Sequence, residues 1–224
     1  MQQLAKPFID RLDAGRQLAD ELSKHRFENP LVLGIPRGGV VVSCEVAKRL
    51  GCAHGVVVAR KLRAPYQPEL AVGAITADGI SYVDVDLARN AGADQRYLSQ
   101  EMARQTQRAA RYEESFNSHQ RPQVMDREVI IVDDGVATGA TAIAAIRSIR
   151  AAGARRVVFA VPVGPRQTLD RLRQEADEVI ALHSGDAFFA VGQYYRYFPP
   201  IEDHQVGQLL QTLTDADQLP HGPG

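Results

Sequence analysis

The sequence predicts an α/β fold, a doubly wound and mostly parallel sheet with flanking helices, a β-hairpin with a flexible loop, and a small C-terminal hood. Three observations lead there. Short β-branched runs recur from Leu31 to Leu182, most of them followed by stretches of helical apolar spacing, and that alternation specifies parallel strands joined by right-handed crossovers. Two of the runs end in small-residue turns, IPRGGV and VDDGVATGAT, at the carboxyl ends of strands where open sheets hold ligands. Finally, 224 residues with 45% apolar and 24% charged side chains are enough to bury a full core. We read residues 1–224 as one domain, with its core at about 30–182.

The elements follow in order. Phe8, Ile9, Leu12, Leu18 and Leu22 recur at helical spacing, so residues 8–25 are expected to form an amphipathic helix of structural role. Leu31 to Ile35 is the first core strand; Pro36, Arg37, Gly38 and Gly39 form its turn, and Val40 to Leu50 the next helix. Gly55 to Ala59 is a second strand that opens into a basic loop holding Arg60, Lys61 and Arg63. Leu70 to Thr76 and Ile80 to Val85 flank Asp78-Gly79, the signature of a hairpin. Residues 94–117 read as a long polar helix whose Arg104, Arg108 and Arg111 share a stripe, ordinarily a solvated face and here also a possible homodimer surface.

Val129 to Val132 is a buried strand, followed at once by Asp133 and Asp134 and by an Ala-rich helix ending at Gly153. Arg156 to Val161 and Glu178 to Leu182 are the last strands, with a helix at Pro165 to Ala176 between them. The segment from His183 to about residue 214 forms a hood. Its aromatic cluster of Phe188, Phe189, Tyr194, Tyr195, Tyr197 and Phe198 is expected to cap the strand ends, where a ring could stack, and Ile201 to Leu213 is the closing helix.

Composition narrows the function. A net charge of −1 argues against a protein built for duplex nucleic acid, which needs a basic face. No apolar run approaches the roughly 20 residues of a membrane span. MQQLAKPFIDRLDAG has no apolar signal core, so a cytoplasmic location is expected. Cys44 and Cys52 lack metal-ligand or redox spacing and read as ordinary thiols in a reducing compartment.

The chemistry concentrates at Asp133 to Thr141. Two carboxylates at a strand end can accept hydrogen bonds from vicinal hydroxyls or hold a hard cation. The turn of Gly135, Ala137, Thr138, Gly139, Ala140 and Thr141 offers free amides at a helix start and two hydroxyls, a setting for phosphate. Acids as simple helix caps are the bland alternative, but a cap needs only one acid.

VIIVDDGVATGAT resembles the thirteen-residue phosphoribosyl pyrophosphate motif of the type I phosphoribosyltransferases. The resemblance implies that Asp133 and Asp134 take the ribose hydroxyls, with Mg²⁺ engaged through those hydroxyls or water, and that residues 135–141 take the 5-phosphate. IPRGGV resembles the family's pyrophosphate loop, implying contacts from Arg37, Gly38 and Gly39 and a cis peptide placed at Arg37–Gly38. ARKLRAP matches the place of a basic residue held against pyrophosphate, with Lys61 the first candidate for catalysis, Arg60 the second and Arg63 weaker. With PELAVGAI and AVGQYYRYF, these stretches are similar to a group of bacterial stand-alone phosphoribosyltransferase-domain proteins.

Ala137 stands where 6-oxopurine enzymes of the family carry an acid, which disfavours that acceptor class; adenine and uracil enzymes carry alanine there. The implied activity is transfer of ribose 5-phosphate to a nitrogen acceptor with release of pyrophosphate. A non-catalytic sensor of the same ligand is the alternative, although about 30 residues before the first core strand are too few for an added DNA-binding domain. A hydrolase or phosphorylase acting on a ribose 5-phosphate ester is a third possibility.

Overall fold

The structure is a computed structural model and describes residues 7–116, 123–185 and 188–217, with side chains to residue 211. The elements run α1 (Arg11–Leu22), β1 (Pro30–Gly34), α2 (Gly38–Leu50), β2 (Ala53–Val56), β3 (Ala59–Arg63), β4 (Ala71–Thr76), β5 (Ser81–Val83), α3 (Val85–Asn90) and α4 (Gln95–Phe116). After these come β6 (Glu128–Val132), α5 (Ala140–Ala151), β7 (Arg156–Pro165), α6 (Arg166–Leu172), β8 (Glu178–Gly185), a 3₁₀ turn at Val191–Tyr194 and α7 (Asp203–Asp217).

Five strands form a parallel sheet in the order β2-β1-β6-β7-β8. Its register explains why the β-branched runs are continuous rather than alternating. On β6, Val129 and Ile131 face a core shared with Ile143, Ile146 and Ile149 of α5 and Leu169 and Leu172 of α6. Ile130 and Val132 face the other way, onto Leu18 and Leu22 of α1 and Val42 and Val46 of α2. Both faces of β6 are covered, so every residue between Val129 and Val132 is apolar.

This layout fixes where a ligand site can form. β1 and β6 are neighbours in the sheet, yet the chain leaving β1 turns to α2 on one face while the chain leaving β6 turns to α5 on the other. The two turns separate, and a crevice opens between them at the carboxyl ends of the strands.

A second, antiparallel sheet of order β3-β4-β5 stands beside this crevice. The predicted hairpin is its β4-β5 pair, and Gly79 takes φ +85 in the turn. The basic segment departs from expectation. Instead of opening into a loop after β2, it is itself β3, paired with β4 from Ala59↔Thr76 to Lys61↔Ala74. The reason is Leu62, which is fully buried with Val72 and Ile75 against Leu87, Leu98 and Met102 and so anchors the strand between exposed cations.

Other boundaries shift for stated reasons. β7 continues to Pro165 because Val163, Gly164 and Pro165 still pair with His183 to Gly185 of β8, and α6 is correspondingly short. α1 starts at Arg11 rather than at residue 8. Phe8 instead bridges to Tyr195, donating to the Tyr194 carbonyl (3.2 Å) and accepting from the Arg196 amide (2.9 Å). Asp10 then caps the helix by accepting from the Asp13 amide at 2.9 Å.

The aromatic tail is only partly the cap expected of it. Tyr195 is 1% exposed and packs with Phe8, Tyr194 and Val163, so it is not available to stack on a ligand. Phe189 and Tyr197 point outward instead. The cluster chiefly seals the tail onto the start of the chain.

Candidate active site

A cleft of about 720 Å³ occupies the crevice. Both turns line it: Arg37 from the β1 side, and Asp133, Asp134, Gly135, Ala137, Thr138, Gly139 and Thr141 from the β6 side, with Arg60, Lys61 and Arg63 of β3 across from them. Sequence-predicted residues from three separated segments thus converge. Three predicted contacts do not line the cleft. Gly38 and Gly39 lie behind the acids, and Ala140 is buried against Ala74 and Ala144.

The glycines are required by that packing. A Cβ on Gly38 would fall 1.8 Å from Oδ2 of Asp134 and 2.8 Å from Nε of Arg11; one on Gly39 would fall 2.8 Å from the Val132 carbonyl and 2.9 Å from Cα of Asp133. The first turn therefore presses directly on the carboxylates of the second. The cis peptide of this turn is Pro36–Arg37, one bond earlier than expected. Arg37 already belongs to the helix start, since its carbonyl accepts from the Val40 amide at 3.2 Å, and the bond that follows it is trans.

Burial raises the pKa of Asp133 well above the carboxylate range, and the neighbouring charge of Asp134 adds to the rise, while Lys61 opposes it. Burial also raises Asp134, against the lowering effect of Arg11. Nε of Arg11 is 2.6 Å from Oδ2 of Asp134. Nη1 of the same guanidinium donates to the Pro199 carbonyl at 2.7 Å, and the group lies 3.6 Å from the Phe198 ring centre. The Tyr195 hydroxyl donates to the Asp134 carbonyl. One acid of the pair is thus tied both to α1 and to the segment from Tyr195 to Pro199.

Arg11 is a site residue that sequence reasoning missed. The signal was present: the buried face of α1 is Arg11, Ala14, Gly15, Leu18, Ala19 and Leu22, so a charge sits on the apolar stripe. Ile9 and Leu12, which the spacing had assigned to that stripe, are exposed. α4 supplies a second omission. Gln105, Arg108 and Tyr112 follow one another around one helical face and line the cleft, so the arginine stripe is not wholly a solvated face.

These side chains form a chain of contacts. Strand alternation turns Arg60 toward α4, where Nε donates to Oε1 of Gln105 at 3.2 Å and the guanidinium lies 5.7 Å from the Tyr112 ring centre. The Tyr112 hydroxyl donates to Asp203 at 2.6 Å, and Arg37 lies 3.7 Å from the same carboxylate. Lys61, on the opposite side of β3, has its electrostatic effect on Asp133.

A hard cation that keeps most of its waters is compatible with these oxygen donors. Among the described residues there is no cluster of three or more His, Cys, Asp or Glu able to cage a metal, and Arg11 offsets one of the two charges. Mg²⁺ commonly keeps several waters and shares itself between one or two carboxylates and ligand phosphates, and that arrangement fits. Among the described residues no helix is long and apolar enough to cross a membrane.

Comparison with known proteins identifies the family. The chain is 46% identical over 206 residues to a Mycobacterium tuberculosis protein that carries a provisional phosphoribosyl transferase name, and the match recurs in two strains. It covers 92% of this chain and 46% of each relative, so the chain spans about half the length of the curated relatives it matches. The crystal structure of the protein TT1426 from Thermus thermophilus superposes with a TM-score of 0.77 at 43% identity, covering 92% of this chain and 98% of that one. The phosphoribosyl transferase domain profile matches residues 9–198, which reach from the start of α1 through both glycine turns to the Phe198 that stacks on Arg11, and the chain belongs to the phosphoribosyl transferase family.

Proposed function

We propose that the cleft binds phosphoribosyl pyrophosphate and transfers its ribose 5-phosphate to a nitrogen acceptor, releasing pyrophosphate. The observation that carries this reading is the meeting of two small-residue turns across the β1–β6 crevice, with a carboxylate pair between them and cations of β3 opposite. Each part matches one part of the ligand. The Gly135–Thr141 turn suits the 5-phosphate, Asp133 and Asp134 suit the ribose hydroxyls, and Arg37 and Lys61 suit the pyrophosphate.

The acceptor nitrogen forms its bond to C1 of the ribose as the C1–O bond to pyrophosphate breaks, and the acceptor's proton passes to water. Positive charge gathers on the ring as the bond breaks, close to the Asp133 and Asp134 carboxylates. Negative charge gathers on the leaving group, within reach of Lys61 and Arg37. Catalysis on this scheme is positioning plus preorganised charge. Bound Mg²⁺ would supply further neutralisation of the pyrophosphate, with Asp133 and Asp134 engaging it through ribose hydroxyls or water.

Calorimetric titration with phosphoribosyl pyrophosphate and Mg²⁺, followed by a pyrophosphate-release screen of nucleobases and related nitrogen heterocycles, tests the reading. Binding with release for one acceptor is the expected outcome. Binding without release for any acceptor would shift the assignment to a sensor of the same ligand, and no binding would refute the proposal.

A further inference from the structure

The Ala137–Gly139 turn is held from behind by α6. Thr168, which is 5% exposed, donates its hydroxyl to the Ala137 carbonyl at 2.7 Å. One helical turn on, Nη2 of Arg171 donates to the Thr138 carbonyl. Nη1 of Arg171 reaches the Tyr82 hydroxyl on β5 at 3.4 Å, and its Nε is buried with no acceptor among the described residues. Two successive carbonyls of one short turn are therefore drawn to the same side by two side chains.

In a trans peptide the N–H points opposite to the C=O. Drawing the Ala137 and Thr138 carbonyls toward α6 therefore turns the amides of Thr138 and Gly139 away from it, toward the cleft these residues line. Neither amide donates to a backbone carbonyl among the described residues. Gly139 completes the geometry: it takes φ +80, and a Cβ there would lie 2.9 Å from Cγ2 of Thr168.

We propose that Thr168 and Arg171 are positioning residues that set these two peptide planes, and through them the affinity of the cleft for the 5-phosphate of its ligand. This rests on the function proposed above. Neither side chain is needed to touch the ligand. Each holds a carbonyl that would otherwise be free to rotate and present oxygen, rather than N–H, to a phosphate.

The test uses Thr168→Val, which keeps the branched shape beside Gly139 and removes the hydroxyl. Binding of ribose 5-phosphate and of pyrophosphate with Mg²⁺ is measured by calorimetry on the wild type and the variant, and folding by thermal unfolding. The expected result is ribose 5-phosphate affinity about tenfold weaker, the scale of one lost hydrogen bond, with pyrophosphate affinity unchanged within about twofold. Arg171→Met is measured the same way and serves where Thr168→Val fails to fold. Equal losses for both ligands, or no loss for either in a folded variant, overturns the inference while leaving wild-type binding, and the function proposed above, intact. A wild type that binds neither ribose 5-phosphate nor phosphoribosyl pyrophosphate overturns both.

Discussion

Arg11 and Asp134 are 123 positions apart in the sequence and meet at 2.6 Å, with the arginine only 8% exposed. The contact gives a largely buried carboxylate that lines the cleft its counter-charge. Arg11→Met is expected to strand that carboxylate. Losing one partner of a buried pair costs about 3 kcal/mol, a fall in melting temperature of about 2–4 °C for each kcal/mol in a chain of this size. Adding Asp134→Asn to Arg11→Met should recover part of the loss, and strictly additive effects in this double-mutant cycle would show that the two groups do not interact.

Asp133 offers a pH dependence. Its folded-state pKa is raised, chiefly by burial, so the protonated form favours the fold. The stability it contributes is fully present below the unfolded carboxylate value of about 4 and is lost as pH rises through the higher folded-state value. Asp133→Asn removes that loss. Its melting temperature should exceed that of the wild type at neutral pH, with the difference shrinking toward pH 4, while binding of phosphoribosyl pyrophosphate is abolished. A difference that does not vary with pH would rule out the ionisation account.

Gly38→Ala should disturb the acids directly, because its Cβ would lie 1.8 Å from Oδ2 of Asp134. We expect loss of ligand binding together with lower stability. Gly207→Ala is the counterpart. Nothing lies within 4 Å of a Cβ on this residue of α7, so alanine there should add about 0.5–1 kcal/mol of stability and leave binding unchanged. Melting curves and titrations of the two variants side by side provide the check.

Lys61→Ala separates binding from catalysis. A cation whose main work is done on the developing charge of the leaving group should slow turnover about a hundredfold while changing ligand affinity by no more than about threefold. Equal losses in kcat/KM and in ground-state affinity would assign Lys61 to uniform binding.

The features legible in the sequence were those set by near neighbours in the chain. Val129 to Val132 announced a strand covered on both faces, the acids followed at once, and the small residues after them marked a turn against a helix start. Gly38 and Gly39 were legible as a turn, but not as surfaces pressed on Asp134 and Asp133, because that requires knowing that β1 and β6 are adjacent. Arg11 was missed for a similar reason: a charged residue on an apolar helical stripe acquires meaning only with its distant partner. β3 was misread because three cations around Leu62 look like a solvated loop until that leucine finds Val72 and Ile75.

The bridge between Phe8 and Tyr195 bears on the order in which a growing chain acquires its parts. During synthesis the five-stranded sheet and both glycine turns can assemble once β8 has emerged, since none of their pairings needs later residues. The Phe198 ring and the Pro199 carbonyl that hold the Arg11 guanidinium emerge afterwards, and contacts of such long sequence separation are costly to close. The strands are therefore available to pair before the cleft can be completed, and the clamp on Arg11 awaits Phe198 and Pro199.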